Sequence, residues 1–482
     1  MAHGANDTTR RGFFSRIADG LHGTALACLL GNDLLAAGTG AASAPKLYDL
    51  KPRPSHHPAK AKSVIHLFMN GGPSQVDLFD PKPALQKYAG QPPSRDLASE
   101  VRAVRETGGL MPSPFRFAKH GESGLEVSEI LPHLSQCVDD LAVVRSMFTT
   151  HLAHEAALFL IHGGRILSTR PSLGAWVVYA LGSENQNLPA YVVLDDPKGP
   201  PVNFIQNWQA GWLPAVYQGT RVRSEGSPIL NLHAKEEYPK PIVDLSRSLL
   251  HRMDTEHRDR HPGNAELEAR IANYELAARM QLAASDALDL SQESQATKEM
   301  YGLDDERTAS YGKRCLMARR LVERGVRLVQ IYIEGQIWDN HNEIRKGLEY
   351  ACGKTDKPAA ALIRDLKQRG LLESTLLIWG GEFGRLPIAQ GDINSRIVGR
   401  DHGPAGFTVW MAGGGAKGGA VYGATDEIGY KAVENRVSVH DFHATVLHLL
   451  GLNHRNLIFE REGRHERITD EFPARVVQEI VA

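Results

Sequence analysis

The chain has 482 residues, of which 42% are hydrophobic, and its 55 basic side chains balance 56 acidic ones. That length is enough for one large α/β domain with insertions or for two domains. The formal net charge of −1 gives no electrostatic basis for binding nucleic acid or an anionic membrane surface. No uninterrupted apolar run approaches the roughly 20 residues that a membrane-spanning helix needs. Beyond residue 44 the cysteines are Cys137, Cys315 and Cys352, whose number and spacing indicate neither a disulfide framework nor a cysteine zinc site.

Residues 1–44 have the pattern of a twin-arginine export signal. Two arginines and two phenylalanines lie close together in TTRRGFF, and a moderately apolar segment follows that ends in small residues. We therefore expect an exported protein, periplasmic or extracellular. The alternative is an amphipathic helix with a basic start, and Asp19 interrupts the apolar stretch. Residues 45–62 are rich in proline and lysine, which predicts a linker.

Predicted strands and helices alternate along the rest of the chain. Apolar, partly β-branched runs predict strands at 63–69, 141–144, 326–333, 375–379 and 407–411. Amphipathic runs predict helices at 125–138, 265–287, 309–324 and 357–369. This alternation predicts an α/β fold over 63–482, a doubly wound, mostly parallel sheet with helices on both faces and an insertion at about 200–300.

Polar side chains with ligand chemistry follow two predicted strands. Asp339 and His341 come after one strand, and Glu382 and His402 come after the next. Because open α/β sheets bind ligands outside the carboxyl ends of their strands, we expect these groups to share one site. Imidazole and carboxylate together suit Zn²⁺, Mn²⁺ or iron better than Ca²⁺. The alternative is an Asx turn with a solvated His341.

Two threonines precede an apolar helix predicted at 156–161. A threonine at a helix N-terminus is most often an N-cap, and this is the first interpretation of Thr150. The same position can also present an oxygen nucleophile to an anion held by helix-end amides.

A histidine-rich segment near the C-terminus, VHDFHATVLHLLGL, is predicted to be structural. Asp441 is placed to cap a helix whose apolar face carries Val446 and Leu449. The alternative is that its histidines are metal ligands.

Several segments together resemble one protein family. They are GGPSQVDLFDPKP, RPSLGAWVVYALGSENQNLPAYVVL, GGEFGRLP, GRDHGP, MAGGGAKGGAVYGATDEIGY and VHDFHATVLHLLGL. These segments are similar to the exported bacterial family catalogued as domain of unknown function 1501, often described as sulfatase-like. The resemblance covers nearly the whole chain after the linker and implies a fold similar to the alkaline phosphatase and sulfatase superfamily. It implies a metal-dependent hydrolase of phosphate or sulfate esters, on small molecules or polysaccharides.

The resemblance also implies which residues hold metal. One divalent ion, whose identity among Zn²⁺, Mn²⁺ and Ca²⁺ stays open, is assigned to Asp339, His341 and His402. At a second site, Asn70 and Glu382 stand where the superfamily has aspartates, and Phe383 stands where it has a histidine. The resemblance therefore implies one complete site and one degraded site.

The catalytic groups carry over with alternatives. Thr150 with His154 resembles the Thr-x-x-x-His of superfamily phosphodiesterases, and Thr149 is the alternative nucleophile. The chain has no Cys-x-Pro-x-Arg segment, so a formylglycine sulfatase mechanism is not expected.

Further charged residues have predicted supporting roles. Arg385 or Arg400 would hold anionic oxygens in a bidentate grip. Asp77 and Asp80 would rebuild part of the second site or act as a general base.

A second hypothesis is a catalytically lapsed domain that binds sulfated polysaccharide or works in a surface assembly. Asn70 and Phe383 favour it, because amide and phenyl groups are poor or absent metal ligands. Trp208 and Trp212 also favour it, because loop aromatics often line sugar-binding grooves.

Overall fold

The structure is a computed structural model that describes residues 49–93, 107–225 and 239–482. The predicted export signal and the first residues of the predicted linker lie outside the described residues. Residues 49–62 contain no helix or strand, and their backbone bonds to the domain, for example from Arg53 N to Leu181 O at 3.0 Å.

Among the described residues, a nine-stranded mixed sheet forms the centre of the molecule. With strands numbered along the chain, its order is β13 (Ala420–Tyr422), β5 (Leu141–Phe148), β12 (Phe407–Ala412), β9 (Thr375–Gly380), β1 (Ser63–Phe68), β8 (Leu328–Tyr332), β6 (Tyr191–Leu194) and β7 (Thr220–Arg221), with β16 (Val437–Ser438) also paired to β5. Strands β9, β1, β8, β6 and β7 are mutually parallel, whereas β12 runs antiparallel to β9 and β5. The prediction of a mostly parallel sheet is confirmed.

Smaller sheets and ten helices complete the described part of the chain. The small sheets join β2 (Thr107–Leu110), β10 (Gly384–Gln390) and β11 (Gly399–Gly403); β3 (Phe117–His120) and β4 (Leu125–Ser128); β14 (Ala424–Thr425) and β15 (Ala432–Glu434); and β17 (Phe459–Arg461) and β18 (Arg464–Glu466). The helices are α1 (Gln75–Leu78), α2 (Pro83–Lys87), α3 (His154–Gly163), α4 (Leu173–Leu181), α5 (Lys240–Arg260), α6 (Ala265–Leu288), α7 (Gln295–Met300), α8 (Glu306–Glu323), α9 (Ile344–Gln368) and α10 (Val439–Leu449). Among the helices described, none is long and apolar enough to cross a membrane.

The central sheet is buried on both faces. Successive side chains of a strand point to opposite faces, so Ile65 and Leu67 of β1 enter one core while Val64 and Phe68 enter the other. The first core is covered by α8 and α9, and the second by α4 and α10. Helices therefore lie on both faces, as the alternation of elements predicted.

The register of the parallel strands sets the position of the site. Phe68 of β1 is paired with Tyr332 of β8 on one side and with Gly380 of β9 on the other. The carboxyl ends of three adjacent strands are therefore level. The loops that follow them leave the sheet at the same edge, which brings their polar side chains together.

The predicted helix at 125–138 is wrong. Leu125–Ser128 forms β4, which pairs with β3 in a hairpin, and a 3-10 helix covers Leu134–Asp140. Gly121 and Gly124 both have φ of +64°, a left-handed conformation that glycine adopts readily and that turns the hairpin. Leu125 and Val127 are both buried, so a period of two governs this segment.

Candidate metal centre

Three chain segments deliver the side chains of the site. Asp339 and His341 lie in the loop after β8, and His154 is the first residue of α3. The β10–β11 hairpin places His402 directly opposite Arg385. All of these segments meet at the carboxyl edge of the central sheet.

Three histidines converge on one carboxylate, which we call the histidine cluster (His154, Asp339, His341 and His402). The Nε2 atoms of His341 and His402 lie 3.0 and 3.2 Å from Asp339 Oδ1. His154 Nε2 lies 3.3 Å from Asp339 Oδ2, and the Nε2 atoms of His341 and His402 are 3.0 Å apart. The predicted ligands are thus brought together, and His154, predicted as a catalytic residue, joins them.

Each imidazole of the cluster is anchored through its other nitrogen. His154 Nδ1 bonds to Glu382 Oε1 at 2.6 Å, and His402 Nδ1 bonds to the Leu152 carbonyl oxygen at 2.6 Å. His341 Nδ1 bonds to Gln390 Oε1 at 2.7 Å. Because carboxylate and carbonyl oxygens only accept, each Nδ1 carries the proton and donates it.

That arrangement leaves three Nε2 lone pairs and a carboxylate facing one another. Such a set of acceptors requires a cation or protons between its members. Tetrahedral coordination with bonds of about 2.1 Å would place neighbouring donor atoms about 3.4 Å apart, and the Nε2-to-carboxylate separations here are 3.0–3.3 Å. Two overlapping sets of donor atoms each lie within 4.8 Å of one another, one from His154, Asp339 and His402 and the other from His341, Asp401 and His402. Such sets fit a divalent ion that accepts imidazole and carboxylate, and Nδ1 partners of this kind are typical of metal-binding histidines.

The electrostatics of the cluster point the same way. In the cation-free protein Nε2 can carry a proton instead: burial opposes ionisation of Asp339, but hydrogen bonds from the imidazoles of the cluster hold the pKa of its carboxyl well below the usual range. Burial also opposes charging of His154, yet bonds to Asp339 and Glu382 raise its pKa to about 9. The bond to Asp339 raises the pKa of His341, whereas burial lowers that of His402. Without a cation, a proton on His154 offsets the negative charge.

The cluster is open on one side. The side chains of His154 and His402 are 11% and 13% exposed, whereas those of Asp339 and His341 are 24% and 30% exposed. The ring of Phe383, fully buried, lies 4.8 Å from that of His154 and 4.6 Å from that of His402 between ring centroids. A phenyl ring therefore closes the side where the resemblance implied a second metal ligand.

Glu382 acts on His154 rather than pointing into the cluster. Its Oε1 accepts from His154 Nδ1 and also from the Gly71 backbone N–H at 3.0 Å, and its side chain is fully buried. Gly71 has φ of +113°, and a Cβ there would lie 2.6 Å from Asp339 N, so glycine is required for this close approach. The prediction of Glu382 as a metal ligand is therefore replaced by a role in orienting His154.

The structure does not support the prediction that Arg385 grips substrate oxygens. Its guanidinium is buried and donates to the carbonyl oxygens of Gly71, Gly72 and Arg400, and to Asp339 Oδ1 at 2.5 Å. Burial lowers the pKa of Arg385, although its carboxylate neighbours oppose the shift. Its donors are taken up within the protein, so its role is to position Asp339.

Asp77 and Asp80 lie outside the cluster, which corrects their predicted roles. Asp77 forms a fully buried two-point ion pair with Arg400, at 2.8 and 3.1 Å. Asp80 pairs with Lys82 at 3.0 Å and accepts from Thr425 Oγ1. Both carboxylates and Arg400 are therefore committed to partners within the protein.

Asn70 lies two residues after the end of β1 and forms no hydrogen bond to the histidine cluster among the described residues. Its Oδ1 accepts from the Ile333 backbone N–H at 3.3 Å, and its buried Nδ2 has no partner among the described residues. With its carbonyl oxygen turned to the backbone of the next strand, Asn70 links β1 to β8 and supplies no ligand atom here.

The threonines differ from their predicted roles. Helix α3 begins at His154 with Ala153 at the N-cap position, so Thr150 is not the cap. Thr150 is exposed, and Thr149 is buried with its backbone N–H bonded to Pro404 O at 2.8 Å. Within the described part of the chain, neither hydroxyl bonds to a member of the cluster. The helix start thus carries an imidazole where a hydroxyl was expected.

Sequence reasoning missed several groups that support the cluster. Gln390 and the Leu152 carbonyl oxygen anchor two imidazoles, and Asp401 Oδ1 lies 3.7 Å from His341 Nδ1. The adjacency of Asp401 and His402 was a readable signal. Nothing in the sequence around Gln390 marks it, because its role depends on the pairing of β10 with β11.

Comparison with known proteins identifies the family. The sequence model described as "Protein of unknown function (DUF1501)" matches residues 61–481. The chain belongs to this family. The predicted family membership is thereby confirmed. A comparison with curated proteins finds no match.

Solved structures that resemble the chain include sulfatases and phosphatases. The PsFucS1 sulfatase from Pseudoalteromonas sp. is 12% identical, with 81% of this chain and 68% of that chain covered and a TM-score of 0.34. The phosphonate monoester hydrolase from Silicibacter pomeroyi is 10% identical, with 73% and 71% covered and a TM-score of 0.33. The alkaline phosphatase from the Antarctic bacterium TAB5 is 10% identical, with 82% and 99% covered and a TM-score of 0.32. At these TM-scores the resemblance supports no statement about substrate or mechanism.

Proposed function

We propose that this protein is a hydrolase of phosphate or sulfate esters that depends on one divalent cation. The residues that would hold the cation are the members of the histidine cluster. One observation carries the proposal: three imidazoles, each anchored at Nδ1 by an acceptor, direct Nε2 at the same carboxylate.

The residues of the chain have distinct tasks in this proposal. When bound, a divalent cation supplies a Lewis acid that offsets the negative charge on phosphate or sulfate oxygens. Asp339 and the imidazoles bind and orient, and Arg385 fixes the Asp339 carboxylate. Phe383 excludes water from the buried side. The more exposed His341 side is left for the substrate.

Metal content and hydrolysis, measured together, test this proposal. Purified protein is expected to bind one equivalent of Zn²⁺ or Mn²⁺ and to hydrolyse an aryl phosphate or aryl sulfate only when loaded. His402→Ala should lose both properties. His443→Leu removes a buried histidine outside the cluster and should keep the stoichiometry of one. Hydrolysis that survives both EDTA and His402→Ala would rule the proposal out.

Water is the nucleophile that fits the position of the threonines. Neither Thr149 nor Thr150 bonds to the cluster, so no covalent phosphoryl or sulfuryl enzyme is expected. Mass spectrometry of acid-quenched turnover should find unmodified protein, and Thr150→Val should slow hydrolysis by less than about tenfold, whereas loss of a nucleophile costs several powers of ten. A modified peptide containing residue 149 or 150 would contradict this.

A second candidate function is binding without turnover. Its support is that Arg385 and Arg400 are both committed to partners within the protein, so neither guanidinium is free to stabilise a reacting anionic group. Under this alternative, sulfated polysaccharide would bind to the cation-loaded protein and remain chemically unchanged. Affinity electrophoresis combined with product analysis separates the two candidates.

We also propose export through the twin-arginine route, on the basis of the TTRRGFF segment. Replacing Arg10 and Arg11 by lysine should retain the full-length chain in the cytoplasm, as cell fractionation would reveal. Unchanged export of that variant would favour another route.

A further inference from the structure

A cavity of about 500 Å³ lies beside the segment that joins β5 to α3. Its walls come from the end of β5, the C-terminal end of α3, the start of α10 and a loop with Phe472 and Pro473. None of its lining residues belongs to the histidine cluster, so it is a separate feature of the molecule. Its volume falls within the range of small-molecule sites.

Much of the cavity wall is apolar. Phe148, Leu160, Ile166 and Val439 contribute to it, and Ile166 is 49% exposed. The ring of His440 stacks on that of Phe472, with centroids 4.3 Å apart and planes inclined by 23°. Ring faces arranged in this way favour a flat apolar body.

Two polar groups of the cavity have no ion-pair or hydrogen-bond partner in the described part of the chain: the exposed Arg436 guanidinium and the buried Thr149 hydroxyl. The Arg436 guanidinium lies 4.2 Å from the centroid of the Phe148 ring, and no carboxylate among the described residues pairs with it. Thr149 is 7% exposed, and its Oγ1 is buried without a hydrogen-bond partner in the described part of the chain. A buried hydroxyl without a partner costs stability unless something occupies the space beside it.

The other charged side chains of the cavity already have partners within the protein. Arg165 pairs with Asp470. Asp441 accepts from the Ser438 backbone N–H and hydroxyl and from the Arg475 backbone N–H, at 2.8–2.9 Å. Asp441 keeps its negative charge, and Arg436 is the cation of the lining that has no carboxylate partner among the described residues.

We propose that this cavity binds an organic anion with a flat apolar body. Its sulfonate, sulfate, phosphate or carboxylate group would meet Arg436 and accept from Thr149 Oγ1. Its rings would lie among Phe148, Phe472 and His440. The site is independent of the proposed hydrolysis, because it shares no residue with the histidine cluster.

Calorimetric titration with naphthalene sulfonate tests the proposal. The full chain is used after chelator treatment, so the state of the metal centre does not enter. The sulfonate should bind about two- to fivefold more tightly than uncharged naphthyl methanol, because it adds an ion pair with the exposed Arg436 guanidinium. Arg436→Met keeps side-chain length on an exposed residue and should abolish this preference without weakening the binding of the alcohol.

A second variant separates binding from folding. Thr149→Val is nearly isosteric and removes a hydroxyl that has no partner, so the unfolding temperature should stay constant or rise. The affinity for naphthalene sulfonate should fall several-fold. The proposal is overturned if the sulfonate fails to bind at millimolar concentration, if the alcohol binds equally well, or if Arg436→Met leaves the preference intact. Cation binding by the same preparations reports on the metal centre separately.

Discussion

Two groups of three histidines lie in different surroundings in this molecule. The histidine cluster directs three Nε2 atoms at Asp339. The core histidines (His66, His162 and His443) pack between strands and helices, with His443 Nε2 bonded to the Ile161 carbonyl oxygen at 2.7 Å and His162 Nε2 to the Tyr332 hydroxyl at 3.1 Å. No carboxylate among the described residues pairs with them. The comparison teaches that convergence on a carboxylate, rather than burial or number, distinguishes a candidate metal site.

The core histidines and the histidine cluster also differ in their pKa values. Burial lowers the pKa values of His66 and His443 to about 3, and that of His162 falls well below its ordinary value for the same reason. The core histidines are therefore neutral and fill space. In the cluster, Asp339 and Glu382 outweigh burial and raise the pKa of His154 to about 9.

The largest effect is expected from removing the carboxylate at the centre of the histidine cluster. Asp339→Asn removes its carboxylate charge and should weaken Zn²⁺ binding by about 100-fold or more, because each remaining ligand is neutral. Competition with a chromophoric chelator measures the affinity. Equal affinities of wild type and variant would show that the three imidazoles do not bind a cation through Asp339.

A smaller effect is expected when only the anchor of one imidazole changes. Glu382→Gln keeps an oxygen that can accept from His154 Nδ1 and Gly71 N but removes the charge, so Zn²⁺ affinity should fall by about tenfold, as is typical for such partners. His443→Leu is the matched control, since it changes a buried histidine without altering the cluster. If Glu382→Gln binds Zn²⁺ with the same affinity as wild type, the charge of Glu382 does not affect His154 as a ligand.

The two groups should also give opposite pH dependences of stability in cation-free protein. His66 and His443 are neutral when folded, so as pH falls from 6.5 toward 3 the unfolded chain takes up protons that the folded chain does not. The free energy of unfolding should then fall by about 1.4 kcal/mol per pH unit for each histidine. His154 is charged when folded, so its contribution is complete below pH 6.5 and is lost as pH rises through about 9.

Urea unfolding with chelator present measures the loss of stability on both sides of pH 6.5. The decline in stability above pH 6.5 should disappear in His154→Gln, while the decline between pH 6.5 and 3 should remain. If the free energy of unfolding still declines above pH 6.5 in His154→Gln as it does in wild type, the decline does not come from His154.

The smallest expected effect tests an anchor that carries no charge. Gln390→Met removes the acceptor for His341 Nδ1 and should weaken Zn²⁺ binding by about two- to tenfold, because His341 is the most exposed ligand and water can replace the amide. Calorimetric titration detects the change. A loss as large as that of Asp339→Asn would mean that Gln390 holds the β10–β11 hairpin itself.

The elements of the sheet could be predicted from sequence because their patterns are local. Apolar β-branched runs gave β8 and β9 nearly to their ends, and the ligands after those strands follow from strand polarity. The roles of Arg385, Asp77 and Glu382 could not be predicted in this way. Each depends on a partner about 46 to 323 positions away in the chain, reached only when the hairpin folds over the sheet edge.

The unequal exposure of the four ligand side chains has a kinetic consequence. His154 and His402 are shielded by Phe383, whereas His341 faces solvent and is held by one amide. We therefore expect an ion to enter and leave the site on the His341 side, after rotation of the His341 ring. A small chelator that can enter on this side should remove the ion at a rate proportional to the chelator concentration. A bulky chelator should remove it at a rate that is independent of chelator concentration and is set by the rotation of the His341 ring.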